Sequence, residues 1–208
     1  MVLECQEIAL FPLRTVLFPA GTLPLRIFET RYLDMVRRCT RLNEPFGVVL
    51  IRQGVEARAQ RDDGQPEVFS VGTTAAIADF NQLSDGMLGI VCKGERKFRI
   101  VSTREQPDHL LLAQVQFLAD EPAAGLSPDD QALVDILGEL VMHPMVQKLG
   151  LQVDFEDGRS VSWRLAELLP IEPEIKQSLL QMQSARERLA ELRRLVSKLR
   201  GDPPVRSF

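Results

Sequence analysis

The 208-residue chain has little of what most enzyme chemistry needs. Its three cysteines, Cys5, Cys39 and Cys92, are an odd number, lie far apart and form no Cys-x-x-Cys pair. That argues against a disulfide framework and a zinc knuckle, and for thiols kept in a reducing compartment. Two histidines, His109 and His143, are too few for a histidine-rich metal site. Nothing around either marks it as a general base. Gly-x-x-x-x-Gly-Lys-Ser/Thr, Gly-x-Ser-x-Gly, His-Glu-x-x-His and Gly-x-Gly-x-x-Gly are all absent. Their absence removes the phosphate-cradling loop, the nucleophile elbow, the zinc-protease helix and the dinucleotide fingerprint. The acidic run 154–158 is no calcium loop: with Gly158 at the invariant glycine, Val153 and Arg164 fall on ligand positions. The expectation is a non-catalytic chain with no cofactor and no metal.

Long apolar runs are also missing. No window approaches the roughly 18 apolar residues of a membrane span. The start, Met1 to Glu7, carries acid where a signal peptide carries Lys or Arg. A soluble, cytoplasmic protein is expected. Charge of one sign is lacking too: the net charge of -4 comes from acids and bases mixed along the chain, with no general pull towards nucleic acid or anionic lipid.

What is present is apolar residue, 45% of the chain, enough to bury a sizeable core. Residues 1–119 read as β with one helix. The run 8–11 is apolar and should stop at Pro12. Residues 18–21 form a turn, and 23–28 are extended around Pro24, which suits an edge. A helix is predicted over 30–41, with Tyr32, Leu33, Val36 and Cys39 on one face and its arginines mostly on the other. The run 46–51 predicts a buried strand, and 58–66, with Asp62-Asp63-Gly64, an exposed loop. Residues 68–80 are strand-like, with Gly72 marking a bulge or a close backbone approach. Asp85-Gly86 is a hairpin turn signal. Short strands are predicted over 88–92, 98–101 and 110–118, with the basic run 93–99 a solvated hairpin between them. Such strands suggest a small barrel or a folded-over sheet.

Residues 120–208 read as helical. Residues 121–125 look like a linker, and Ser127 is a natural N-cap followed by Pro128. Leu133, Ile136, Leu137, Leu140 and Val141 form a helical stripe, which Pro144 should end near Met142. A second helix is predicted over 161–169, with either Trp163, Ala166 and Leu169 or Leu165 and Leu168 turned inward. Pro170 stops it, and Pro173 opens a third with Ile175, Leu179 and Met182 inward. Ser184 and Glu187 have capping-box spacing for a last helix. In that helix Leu189, Leu192, Val196 and Leu199 follow an a/d repeat, with Gly201 and Pro203-Pro204 ending it. The repeat serves either the bundle or a second copy of the chain.

Three segments carry a family resemblance. The first runs from Leu10 through Pro12, Leu13, Arg14, Phe18 and Pro19 to Pro24, Leu25, Phe28, Glu29, Arg31 and Tyr32. The second joins Val71-Gly72-Thr73 to Asp85-Gly86, Gly94 and Phe98. The third holds Leu168-Leu169-Pro170, Lys176, Leu179 and Arg188-Leu189. Together, in this order, they resemble the N-terminal domain of Lon protease, also found in cereblon and in small bacterial proteins. The resemblance implies an α+β fold: a PUA-like β pseudo-barrel followed by a C-terminal helical bundle. It further implies a protein-binding module without the ATPase and peptidase of full-length Lon. Its partners would be unfolded or degron-bearing polypeptides, or a protease needing an adaptor.

Structural roles are available for most of the motif residues. The prolines fix turns and strand ends, and Gly72 takes a conformation that a side chain would forbid. Glu29 suits the positive end of the helix and is also placed to pair with an arginine across the barrel. For the partner, an exposed apolar surface is required. Its candidates are Phe80, Leu83 and Met87 around the hairpin, and Met142, Pro144 and Met145 at the helix kink. Ordinary packing is the other role open to both groups. PUA-like folds include RNA binders, so RNA is the alternative ligand. The basic run 93–99 contains an acid and lacks interleaved aromatics, which speaks against it.

Overall fold

A computed structural model describes residues 5–54, 56 and 65–200. The Asp62-Asp63-Gly64 loop, the helix stop at Gly201 and Pro203-Pro204, and the first four residues lie outside the described residues. The chain divides into two compact units, 1–120 and 121–208. Among the described residues no helix is long and apolar enough to cross a membrane.

The first unit contains β1 (Gln6–Leu13), β2 (Thr22–Ile27), α1 (Thr30–Leu42), β3 (Phe46–Gln53), β4 (Glu67–Val68), β5 (Val71–Gln82), β6 (Leu88–Glu105) and β7 (Leu111–Phe117). The strands pair in the order β1-β7-β6-β5-β3, and a parallel β1–β3 pairing closes them into a ring. β2 adds outside that ring against β6. Among the described residues the pseudo-barrel is therefore built from five strands.

Alternation along the strands divides the apolar residues between two clusters. Ile8 and Leu10 of β1 point inward with Val49, Phe98, Ala113 and Val115. Ala9, Phe11 and Leu13 point outward, into a larger cluster beneath α1 and β2. Phe98 is fully buried in the small barrel, which is worth about 2–3 kcal/mol of apolar burial. Two glycines make room for its ring: a Cβ on Gly47 or on Gly72 would lie 2.7 Å from the Phe98 ring.

β6 is one 18-residue strand, not two short ones. Against β5 its register slips between Ala75↔Gly94 and Thr73↔Lys97, which places a bulge near Glu95 and Arg96. The bulge reverses which face the even-numbered residues serve. Ile90 and Cys92 belong to the outer cluster, while Phe98 belongs to the barrel interior. The basic run 93–99 is thus mid-strand, not a hairpin: Lys97 is buried and Arg96 lies over the Phe117 ring at 4.4 Å. Pro12 does not stop β1 either. The β7 pairing ends at Leu10, and a strand with one remaining neighbour accommodates a proline.

α1 packs Tyr32, Met35, Val36 and Cys39 against the outer cluster. The Tyr32 ring stacks on Phe11 with centroids 4.0 Å apart. Asn43, left-handed at φ 52°, caps the helix. Burial raises the Cys39 thiol pKa and pushes that of Cys92 up to about 12, so both stay protonated.

The second unit opens with a 3-10 turn (Pro128–Asp130) and continues through α2 (Gln131–Met142), α3 (Pro144–Gln147), α4 (Gly158–Leu168), α5 (Pro173–Gln181) and α6 (Ala185–Arg200). The Ser127 N–H and hydroxyl both donate to Asp130, at 2.8 and 2.6 Å. Trp163, Ala166 and Leu169 are all buried, as the first reading of this helix has it, and Leu165 of the second reading is buried too while Leu168 is half-buried. Leu189, Leu192 and Val196 of α6 are buried in the bundle, and Leu199 is exposed.

The linker reading of 121–125 is corrected by Glu121. Its carboxylate is buried and accepts from Arg188 Nη2 at 2.6 Å and Nη1 at 3.2 Å. Arg188 also donates to the Ser162 hydroxyl at 3.0 Å and lies 3.2 Å from the centroid of the Trp163 ring. Desolvation lowers the Arg188 pKa, and Glu121 partly offsets it. Ala124 N–H donates to Asp157, which also caps α4, so the segment is pinned at both ends.

Candidate functional site

A groove of about 570 Å³ lies in the first unit between α1 and the β5–β6 hairpin. Its helical wall presents Leu33, Val36, Arg37, Thr40 and Arg41, residues that helical spacing brings to one face. Its other wall is the hairpin, with Phe80, Met87 and Leu88. Phe80 is 63% exposed, an unusual state for a phenylalanine, and lies in the exposed second half of β5, beyond the buried stretch Val71–Ala75.

The position of Phe80 has a local cause. Ile77 pairs with Cys92, but Phe80, three residues on, pairs with Ile90. A bulge between Ile77 and Asp79 inserts one extra residue and turns Phe80 onto the face that Ile77 occupies. That face is the outer apolar cluster, with Ile90 in it and Ile77 against it. Phe80 therefore extends the core face beyond the core, to the open side of the groove.

The hairpin is held from several directions. Leu83 N–H donates to Met87 C=O and Gly86 N–H to Leu83 C=O, both at 2.9 Å. The Asp85 carboxylate accepts from Met87 N–H at 3.0 Å and pairs with Arg26 of β2. Gly86 sits at φ +83°, where its turn needs a glycine. Leu83 lines a second depression of about 530 Å³ on the other flank, with Pro24, Leu25 and Ile90. The hairpin thus brings Phe80 and Met87 together and separates Leu83 from them.

Met142, Pro144 and Met145 surround the junction of α2 and α3 in the second unit, all exposed. His143 caps α3, its Nδ1 accepting from Met145 N–H at 3.3 Å. None of the three lines the groove at α1 or the depression beside Leu83.

Several of the motif residues make contacts within the fold, while Arg14, Pro24 and Pro170 are exposed. A Cβ on Gly94 would lie 2.1 Å from the carbonyl oxygen of the buried Phe18, and Ala20 N–H, just after Pro19, donates to Gly94 C=O at 2.7 Å. Arg14 donates to Gly54 C=O at 2.5 Å. Glu29 pairs with Arg31, two residues away, at 2.7 Å, not with an arginine across the barrel. Arg31 makes the long-range link instead, donating to His109 C=O at 2.9 Å. Pro170 follows the end of α4, and Lys176 donates to Glu167 C=O at 2.6 Å, its pKa lowered by burial and partly restored by the Glu167 carboxylate. Among the described residues no group of three or more His, Cys, Asp or Glu is placed to hold a metal ion.

A family model described as the ATP-dependent protease La (LON) substrate-binding domain matches residues 7–198. The chain belongs to the Lon substrate-binding domain family. The crystal structure of a Lon N-terminal domain protein from Xanthomonas campestris is similar to this Lon-type chain at 33% identity and a TM-score of 0.73, covering 95% of this chain and 99% of that one. The Lon protease of Cytophaga hutchinsonii is 26% identical over 91% of this chain, and the protein cereblon of Xenopus tropicalis 28% identical over 62% of it. The chain spans 24% and 28%, respectively, of the length of those two proteins. The α+β architecture implied by the three sequence segments, a β pseudo-barrel and then a helical bundle, is the one observed.

Proposed function

We propose that this Lon-type chain binds polypeptide, without catalysing a reaction, in the groove between α1 and the β5–β6 hairpin. The observation that carries the proposal is Phe80, held 63% exposed by a bulge at the mouth of an apolar groove. Aromatic anchors of this kind dominate binding energy at protein interfaces. Met87 beside it is a side chain that repacks against varied partners, which suits a site for unfolded or degron-bearing segments. In this reading the chain acts in protein quality control, presenting such segments to a protease as an adaptor. The family's substrate-binding description supports the ligand class. RNA binding through a PUA-like barrel has less support, because the basic run 93–99 is partly buried inside β6.

The test is fluorescence anisotropy with a labelled, reduced and carboxymethylated protein as the unfolded probe. Phe80→Asp and Met87→Asp should each weaken binding about tenfold or more, with the probe intact on a gel afterwards. Unchanged affinity in both, with loss on Met142→Asp or Met145→Asp, would move the site to the second unit and overturn the proposal.

A further inference from the structure

The groove between α1 and the hairpin is apolar at its floor and cationic along one wall. Arg37 and Arg41 line it from α1, and among the described residues no aspartate or glutamate lines it. This local excess runs against the chain's net charge of -4. α1 concentrates the charge, carrying Arg31, Arg37, Arg38 and Arg41 against a single acid, Asp34. Arg31 is occupied with Glu29 and the His109 carbonyl, at the helix's first turn. Arg37 is paired with Asp34 at 2.9 Å, but both side chains are well exposed, so that pair is weak and exchangeable. Arg41 stands in the last turn, where a cation suits the negative helix end. Asp85, at the hairpin tip, is engaged by Arg26 and does not line the groove.

Resting on the reading of the groove as a polypeptide site, we infer that its occupant is a segment with an apolar or aromatic anchor flanked by acidic residues. The anchor packs between Phe80, Met87 and Leu33. The flanking carboxylates meet Arg37 and Arg41, which are one helical turn apart and so accept two acids of one strand or one helix face. Guanidinium groups suit this task because they bind carboxylates in a two-pronged geometry and desolvate more readily than ammonium groups. Complementary charge also selects against the opposite flank: a Lys-flanked anchor would meet two like charges at the wall. The specificity that follows is for the sign of the flank, with the apolar anchor common to all ligands.

The experiment compares three labelled peptides of one length and one Phe-Leu-Phe anchor, flanked by Glu, Ser or Lys, by anisotropy on the whole chain. At about 0.1 M salt the Glu-flanked peptide should bind about fivefold tighter than the Ser-flanked one, and the Lys-flanked peptide weakest. At about 1 M salt the three should converge, since exposed charges are then screened within a few ångströms. In the double variant Arg37→Gln/Arg41→Gln the ranking by flank should vanish. Both residues are exposed, so a thermal melt matching the parent confirms folding. Equal binding of all three peptides by the parent, with Phe80→Asp still abolishing it, would overturn the acidic-flank inference and leave the groove reading standing. A flank preference untouched by the double variant would overturn it as well. Binding indifferent to Phe80→Asp would overturn the groove reading itself.

Discussion

A methyl group added at Gly94 would lie 2.1 Å from the Phe18 carbonyl oxygen, a backbone atom that cannot swing aside. Gly94→Ala should therefore destabilise the first unit by about 3 kcal/mol, read as a lower urea midpoint at unchanged slope. Gly86→Ala is the control. Its Cβ would meet nothing within 4 Å, and only the positive φ of +83° is strained, for a cost of about 1 kcal/mol. Equal losses at the two positions would contradict the packing account. Single glycines of this kind are legible in the sequence as irregularities, and Gly72 reads there as a bulge or a close approach, of which the structure shows the close approach. What each approaches is not legible, because Phe18 meets Gly94 beside the β2–β6 pairing and Val48 meets Gly72 across the β3–β5 pairing, both between segments distant in sequence. Glu29 is legible as an ion-pair partner, but the choice of Arg31 over a distant arginine depends on side-chain reach that spacing does not encode.

Elements are legible wherever one hydrophobic period persists. α1, with a continuous 3.6-residue stripe, and the Asp85-Gly86 turn are where the sequence puts them. β6 is not, since its bulge shifts the apolar parity midway and makes one strand resemble two. Periodicity also fails for Phe80: strict alternation from Ile77 would put it on the opposite face. The segment 121–125 misleads by composition, because proline, alanine and glycine surround one carboxylate that is a core residue. Glu121 joins the start of the second unit to α6 through Arg188, and α6 packs on α4. Glu121→Ala would leave Arg188 charged, buried and unpaired, at a cost of about 3–5 kcal/mol. Trp163 is the single tryptophan and lies against Arg188, so its fluorescence should follow this loss directly. Glu121→Leu/Arg188→Met, which removes both charges, should recover most of the stability. A Glu121→Ala midpoint equal to the parent would refute the buried pair.

At the scale of the whole molecule, the order β then α and the family are legible, because three motif segments in fixed order span most of the chain. The groove is legible only in part. Phe80 and Met87 stand out as candidates, but the helical wall with Arg37 and Arg41 looks like an ordinary solvated face. A charged helix face has the same sequence pattern whether it borders water or an apolar trough. The most direct test of a polypeptide site here is hydrogen–deuterium exchange of the whole chain with and without saturating unfolded polypeptide. Protection should appear in 33–41 and 80–88, the two walls of the groove, and be weak or absent elsewhere. Bound polypeptide that leaves both walls unprotected, or that protects only 142–147, would contradict the account.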